Sequence, residues 1–108
     1  MGVTKSDEFN ARQNKTAELF KALGHPARVA IMEFLMKKQS CVCGDIVDEL
    51  PLAQATVSQH LKALKEVGLI KGSIEGTSVC YCIDEKRLHE LDKFITALLD
   101  YSSEKKCC

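Results

Sequence analysis

The chain has 108 residues, 45% of them hydrophobic and 28% charged, and a formal net charge of zero at pH 7. This length predicts one domain with a thin core, and no segment approaches the ~18 consecutive apolar residues of a membrane span. The first residues lack the apolar core of a secretory signal, so we expect a cytoplasmic protein without a membrane partner. Six cysteines then indicate metal or redox chemistry rather than structural disulfides.

Two helices are predicted in the first third of the chain. The first runs from about Asp7 to Leu23 and ends at Gly24, and the second begins with Pro26 as its first helical residue. His25 precedes that proline and is a weaker N-cap than serine or aspartate would be. Because the second helix is apolar on two sides, we expect it at the centre of the fold. The apolar stripe of the first helix is Phe9, Thr16, Phe20 and Leu23. The second helix has a core stripe of Ala27, Ala30, Ile31, Phe34 and Leu35 and a further apolar face of Val29, Met32 and Met36.

A short helix, a tight turn and a longer helix are predicted next. The third helix extends from about residue 44 to residue 50, where Pro51 stops it. The fourth extends from about Ala53 to Val67, and Gly68 is its C-terminal stop. Ala53 cannot cap this helix with its side chain, which costs ~1 kcal/mol locally. The residues of the fourth helix that face the core are Val57, Leu61 and Leu64.

Two short strands and a last helix complete the chain. The strands cover about residues 69–72 and 79–83, and Glu75, Gly76 and Thr77 make the turn between them. The last helix, about residues 85–101, has an apolar stripe for which so small a domain has no internal partner, so we expect a homodimer. That stripe consists of Leu88, Leu91, Ile95, Leu98 and Leu99.

This order of elements predicts a mainly α fold with a small β-hairpin, a dimeric winged helix-turn-helix domain over residues 1–108. Residues 53–67 would be the recognition helix, residues 69–83 the wing, and residues 7–23 and 85–101 the dimerisation helices. The fourth helix turns a polar face away from the core; glutamine and serine suit base edges, and lysine suits phosphates. The alternative is a solvated helix face, and for His60 a structural, hydrogen-bonded role is the alternative. The predicted DNA-binding residues are Gln54, Thr56, Ser58, Gln59, His60, Lys62, Lys65, Lys71 and Thr77.

Cysteines occur in pairs at three places, and the pairs at two of them are candidate soft-metal ligands. Cys41 and Cys43 open the third predicted helix, where the helix N-terminus and the lysines just upstream favour thiolates. All-sulfur ligation selects soft ions, and no Cys-x-x-Cys spacing of a structural zinc site occurs. Cys107 and Cys108 end a tail of about six residues that could reach ~20 Å, or they form a frayed end. On the second strand, we expect Cys80 and Cys82 on the more open face, opposite Val79, Tyr81 and Ile83, as ordinary small strand residues.

Four motifs together resemble the ArsR/SmtB family of metal-responsive repressors over about residues 19–83. They are Leu-Gly-His-Pro-Ala-Arg at 23–28, Cys-Val-Cys-Gly-Asp at 41–45, Val-Ser-Gln-His-Leu at 57–61 and the hairpin through Gly76. The resemblance implies a winged-helix homodimer that occupies double-stranded operator DNA until a toxic metal or metalloid binds. The cysteine pair resembles that of the arsenite-responsive branch, in which trivalent arsenic or antimony takes three thiolates. Arsenite or antimonite is thus the expected inducer, without an organic cofactor. The expected ligands are Cys41, Cys43, Cys107 and Cys108.

The third ligand and the inducing signal stay open, because the position of the third cysteine in the arsenite pattern is Ile46 here. Cadmium or lead could occupy the same thiols, or a disulfide or persulfide could form under oxidant or sulfide stress. A protein-only interaction domain stapled by zinc is a further alternative. A thiol enzyme such as an arsenate reductase is not expected, because six residues after Cys43 and Cys80 stand Glu49 and Lys86, where a phosphate loop needs arginine.

Overall fold

The computed structural model describes residues 8–38, 42–43, 50–75 and 78–104. This part of the chain forms four helices and three strands. The helices are α1 (Ala11–Leu23), α2 (Pro26–Lys38), α3 (Gln54–Glu66) and α4 (Glu85–Glu104), and the strands are β1 (Val42–Cys43), β2 (Ile70–Glu75) and β3 (Ser78–Ile83). The third predicted helix, apart from its last residue, lies outside the described residues, and so do Cys41, Thr77, Cys107 and Cys108.

Helix α1 begins at a capping box. The Gln13 amide donates to Asn10 Oδ1 at 2.7 Å, and the Asn10 amide donates to Gln13 Oε1 at 3.1 Å. These two bonds satisfy backbone donors that a helix start leaves open, so the helix begins at Ala11. The predicted start near Asp7 was therefore wrong.

The buried face of α1 also differs from the predicted stripe. Leu19 and Ala22 are buried, at 2% and 6% exposure, whereas Phe9 is 55% and Phe20 39% exposed. The error arose because a stripe based on the largest apolar residues was assigned to the core. Phe20 instead forms part of an apolar surface that is described below.

Helix α2 begins at Pro26, as predicted, and its cap is a histidine. His25 Nδ1 accepts from the Ala27 amide at 3.0 Å, while the His25 carbonyl accepts from the next two amides. Ile31 and Leu35 anchor the helix in the core at 0% and 2% exposure. The helix packs on α1, α3 and β3, in agreement with its predicted central position. The predicted second apolar face is not buried in this chain, because Val29 is 45% and Met36 61% exposed.

Helix α3 begins one residue after Ala53, whose side chain makes no capping bond. Its three predicted core residues are fully buried: Val57 and Leu64 at 0% exposure and Leu61 at 2%. Beyond the helix, Gly68 has φ +84°, and a Cβ there would lie 2.9 Å from Arg87 Cγ. Because L side chains rarely adopt this φ, glycine ends the helix where the sequence predicted.

The strands form an antiparallel sheet in the order β1-β3-β2. Strands β2 and β3 pair from Ile70 opposite Ile83 to Glu75 opposite Ser78, so the hairpin is longer than predicted and Glu75 belongs to a strand. Strand β1 was not predicted, since Cys43 was expected at the opening of a helix. A two-residue strand has no hydrophobic periodicity of its own, so only its pairing with β3 reveals it.

One core cluster holds the elements together. Its buried residues come from all four helices and from the start of the hairpin, and include Leu19, Ile31, Leu64, Ile70 and Leu91. Only the first half of α4 belongs to this core. No helix in the described ranges combines the length and apolarity required to cross a membrane.

Candidate nucleic-acid interface and thiol site

The polar face of α3 lies on the surface, opposite its buried anchor residues. Thr56 is partly exposed and His60 is buried, whereas the remaining described residues of the predicted DNA-binding set are exposed. Hydrogen-bonding amides and hydroxyls on one helix, with lysines along it, can contact base edges and phosphates together. The exposed residues are Gln54, Ser58, Gln59, Lys62 and Lys65 on α3 and Lys71 on β2.

His60 is the buried member of that set, at 9% exposure. Its Nδ1 accepts from Arg28 Nε at 3.1 Å, and its ring centroid lies 4.4 Å from that of His25. Burial lowers the pKa of His60, and the neighbouring His25 and Arg28 lower it further. A neutral, hydrogen-bonded imidazole fits the structural interpretation of this residue, while a contact of its outer edge with DNA stays a prediction.

Arg28 is a functional neighbour that sequence reasoning did not single out. Its Nη1 also donates to the Ala22 carbonyl at 3.1 Å, so one guanidinium joins the end of α1 to α2 and α3. The bond to His60 spans 32 residues of sequence. In the sequence, the available sign of this contact was that Arg28 and His60 are polar residues within apolar helix patterns. Their partnership fixes the orientation of α3 relative to α2.

The cysteines of the sheet lie closer together than the sequence suggested. Cys43 in β1 is the direct register partner of Cys80 in β3. Cys80 is 2% exposed, Cys82 is partly buried, and both are disulfide-bonded. In this oxidised state, no three His, Cys, Asp or Glu side chains within the described ranges are placed to hold a metal ion.

The burial of Cys80 corrects one expectation about β3. Tyr81 and Ile83 do pack against the core cluster, but both are partly exposed, as Cys82 is. The opposite face was expected to be open, but it is closed at Cys80. Strand β3 has a neighbour on both edges at this point, and β1 was the neighbour that the sequence did not predict.

A second surface is apolar and is formed by α1 and the outer half of α4. Phe20 and Phe94 meet edge to face, with ring centroids 5.7 Å apart. Leu98 and Leu99 are 51% and 64% exposed, so the later part of the predicted stripe lacks an internal partner, as expected. Its first two members, Leu88 and Leu91, do have one, because they pack in the core. An apolar surface of this kind marks an interaction site.

Comparison with known proteins gives a consistent family. Residues 25–71 match the family model described as bacterial regulatory protein, arsR family. An uncharacterized HTH-type transcriptional regulator of Methanocaldococcus jannaschii is 42% identical over 88 residues, 81% of this chain and 98% of that protein. A cadmium resistance transcriptional regulatory protein CadC homolog of Staphylococcus aureus is 35% identical over 92 residues, 82% of this chain and 75% of that protein.

Solved structures give the same architecture. The solution structure of a homodimeric winged helix-turn-helix DNA-binding domain from Mycobacterium bovis, a possible ArsR-family transcriptional regulator, is similar with a TM-score of 0.66 and 26% identity. The match covers 95% of this chain and 93% of that one. The hairpin of β2 and β3 therefore corresponds to a wing, and α3 is the helix directly before it.

Proposed function

The chain belongs to the arsR family of bacterial regulatory proteins and is a winged helix-turn-helix transcriptional regulator, and we propose that it is a thiol-responsive repressor. As a homodimer in the cytoplasm it occupies operator DNA, and it releases that DNA when trivalent arsenic or antimony binds its cysteines. The observation that carries the proposal is the position of Cys43. It pairs with the wing strand β3, so a ligand held there acts on the DNA-binding elements directly.

DNA is bound by the polar face of α3 and by the wing. Val57, Leu61 and Leu64 hold the helix by its inner side, which leaves Gln59 and its neighbours to enter the major groove. Lysine side chains on both elements neutralise phosphates. The proposed contacts are Gln54, Thr56, Ser58, Gln59, His60, Lys62 and Lys65 on α3, and Lys71 and Thr77 on the wing.

The dimer is formed by the apolar surface of α1 and α4. This surface is exposed in the single chain, and the similar Mycobacterium bovis domain is homodimeric. A symmetric dimer places its two recognition helices one DNA turn apart, about 34 Å, on an imperfect palindrome. Large apolar side chains at Phe94, Leu98 and Leu99 become buried in this arrangement.

The inducer site begins with Cys41 and Cys43. Trivalent arsenic is a soft acceptor that takes three thiolates, so a cysteine pair needs a further sulfur. Helix α4 ends at Glu104, three residues later than predicted, so Cys108 is four residues beyond it and could reach roughly 13 Å at ~3.3 Å per residue. Cys107 and Cys108 are proposed as completing ligands on that reach. Binding releases DNA only because the free conformer holds the ion more tightly than the DNA-bound one.

The test is DNA-binding anisotropy on a duplex selected from a random pool, with arsenite, antimonite, cadmium, zinc and peroxide titrated in parallel. We expect release at a near-stoichiometric dose of arsenite, and no release from a variant carrying both Cys41→Ser and Cys43→Ser. Release of that double variant at the wild-type dose of arsenite would refute the inducer assignment. Absence of binding to any selected duplex would refute the repressor itself.

Two observations favour other signals for the same repressor. The CadC homolog is named for cadmium resistance, and cadmium is a soft ion with the same preference for thiolates. Cys80 and Cys82 are disulfide-bonded, which a redox-responsive repressor would use. Release by cadmium alone, or by peroxide with reversal by a reductant, distinguishes these alternatives in the same titration.

A further inference from the structure

The wing strand β3 carries two cysteines, Cys80 and Cys82, beside Cys43 of β1. Residues that are direct partners in an antiparallel pair have Cβ atoms about 4.5–5.5 Å apart on one face of the sheet. Cys43 and Cys80 are such partners. Cys82 follows Cys80 by two residues in β3, and residues spaced by two share a face. The backbone register therefore brings three cysteines to one patch of the sheet.

A second observation is that both cysteines of β3 take part in disulfide bonds. Cys80 and Cys82 are each bonded to another sulfur, so both sulfurs already have thiol partners within bonding reach. Once reduced, sulfurs held in this way can converge on one ion without a change of fold. At 2% exposure, a Cys80 thiolate also needs an ion to neutralise its charge, because a buried unpaired charge is costly.

We propose that Cys80 and Cys82 of β3 complete the thiolate site to which Cys43 belongs, so that the inducer bridges β1 and the wing. The inference rests on the proposed function for the identity of the ion. Cys43, Cys80 and Cys82 supply three sulfurs, which suits trivalent arsenic. A tetrahedral soft divalent ion needs a fourth ligand, and Cys41 stands two residues before Cys43 in the sequence.

The chemistry has two balanced steps. A dithiol reductant first transfers two electrons and two protons to each disulfide, which yields two protein thiols while the reductant becomes a cyclic disulfide. Arsenous acid then exchanges its three hydroxyls for three protein sulfurs: three As–S bonds form, three As–O bonds break, and three water molecules leave. Arsenic stays trivalent throughout. With Cys80 and Cys82 held in disulfide bonds, the site binds no arsenite until it is reduced.

This arrangement explains how the inducer acts on DNA binding. An ion held by β1 and β3 fixes the wing strand to the segment that precedes the turn before α3. The wing and α3 must fit the DNA together, so a changed angle between them disfavours the complex. The case for Cys107 and Cys108 as ligands rests only on how far the tail could extend, whereas Cys80 is the direct register partner of Cys43.

The experiment measures arsenite binding to the reduced full chain. A phosphine serves as reductant, because a dithiol would itself bind arsenic. Arsenite-protected cysteines are identified by alkylation and mass spectrometry, and affinity is measured by titration. We expect Cys43, Cys80 and Cys82 to be protected, and the protein before reduction to bind no arsenite.

Variants separate the wing from the tail. Substitution of Cys80→Ala together with Cys82→Ser should weaken arsenite binding by more than about 100-fold, since loss even of groups that only support ligands costs 10–100-fold. The same change in the tail pair, Cys107→Ser with Cys108→Ser, distinguishes the two candidate sets of completing ligands, because a loss of arsenite binding confined to that variant would overturn the wing ligands. Retained DNA affinity shows that the variants fold. The alkylation pattern of the wild-type protein tests the same ligands without any substitution.

The outcomes distinguish this inference from the proposed function. Unchanged arsenite binding by the β3 variant, or alkylation of Cys80 and Cys82 in the arsenite complex, overturns the wing ligands while the repressor assignment stands. Absence of arsenite binding to the reduced wild type overturns the metalloid inducer. Protection of four cysteines by cadmium, with Cys80 and Cys82 among them, supports the wing site with the other soft ion.

Discussion

Substitution of Arg28 by methionine tests whether the buried polar contact between the helices sets the stability and DNA affinity of the domain. Methionine keeps the aliphatic length of the side chain but removes its donors. The change deletes the bond from Nε to His60 Nδ1 and the bond from Nη1 to the Ala22 carbonyl, each 3.1 Å long. Hydrogen bonds to a charged group contribute roughly 1.5–3 kcal/mol each. Because Arg28 is partly exposed, we take the lower value for both.

The expected loss for Arg28→Met is thus about 3 kcal/mol in the free energy of unfolding. For a domain of this size it corresponds to a fall of roughly 12 °C in Tm, at ~4 °C per kcal/mol. DNA affinity should fall as well, because α3 loses its polar link to α2. Thermal and urea unfolding at one fixed protein concentration measure the first effect, and anisotropy measures the second.

Two controls make this prediction specific. Arg28→Lys keeps the charge but cannot supply the two directed donors of a guanidinium, so it should recover less than half of the lost stability. Arg12→Met changes an exposed arginine of α1 and should stay within about 0.5 kcal/mol of the wild type. A loss below about 0.5 kcal/mol for Arg28→Met would show that the contact with His60 contributes no net stability.

Four further predictions follow from single features. Burial lowers the pKa of His60 below its ordinary 6.5. As the pH falls through 6.5, His60 therefore takes up a proton in the unfolded chain before it does so in the folded protein. The free energy of unfolding, measured with urea, should decrease until the pH reaches the folded pKa. Ala53→Ser should raise stability by about 1 kcal/mol, since the backbone there has the extended conformation of an N-cap (φ −64°, ψ 147°) and no side-chain cap. Leu98→Glu, on a residue 51% exposed, should convert the dimer to a monomer in sedimentation velocity. Lys62→Gln should weaken binding to all DNA sequences alike and reduce the slope of log affinity against log salt by about 1 for each protomer.

Each of these predictions has a matched comparison. Replacement of His60 by asparagine should remove the part of the acid dependence that its titration supplies. Ala53→Val cannot cap, so a gain in stability from that change as large as from Ala53→Ser would contradict the capping argument. Gln59→Ala should change the preferred base at one position of the operator, by about 1–3 kcal/mol, unlike the change at Lys62. Glutamate at an exposed polar position of α4 such as Lys93 should leave the dimer intact.

Several elements of this fold follow from local sequence, because their causes lie within a few residues of each other. Pro26 as the first residue of α2, Gly68 after α3 and the three buried residues of α3 were all predicted correctly. A proline at a helix start, a glycine beyond a helix end and a period of 3.6 residues act locally. The mainly α class, the hairpin and the exposed polar face of α3 follow from the same kinds of pattern.

The start and buried face of α1 show the limit of that approach. Asn10 and Gln13 form a capping box that moves the start to Ala11, although apolar spacing favoured an earlier one. The spacing also assigned Phe20 to the core, where Leu19 lies instead. An apolar pattern shows that a face is buried somewhere, but it does not distinguish the interior of one chain from the surface that meets a second one.

Contacts between segments that are distant in sequence were decided only by the tertiary structure. Local sequence predicted a thiol site at Cys41 and Cys43 and a DNA-binding face on α3. It did not reveal that Cys43 stands opposite Cys80 or that Arg28 reaches His60 across 32 residues. Strand register and pairing of polar side chains depend on which distant segments meet in the fold. The hydrophobic periodicity of one segment carries no information about its distance from a second segment. The thiol site and the placement of α3 therefore required the fold.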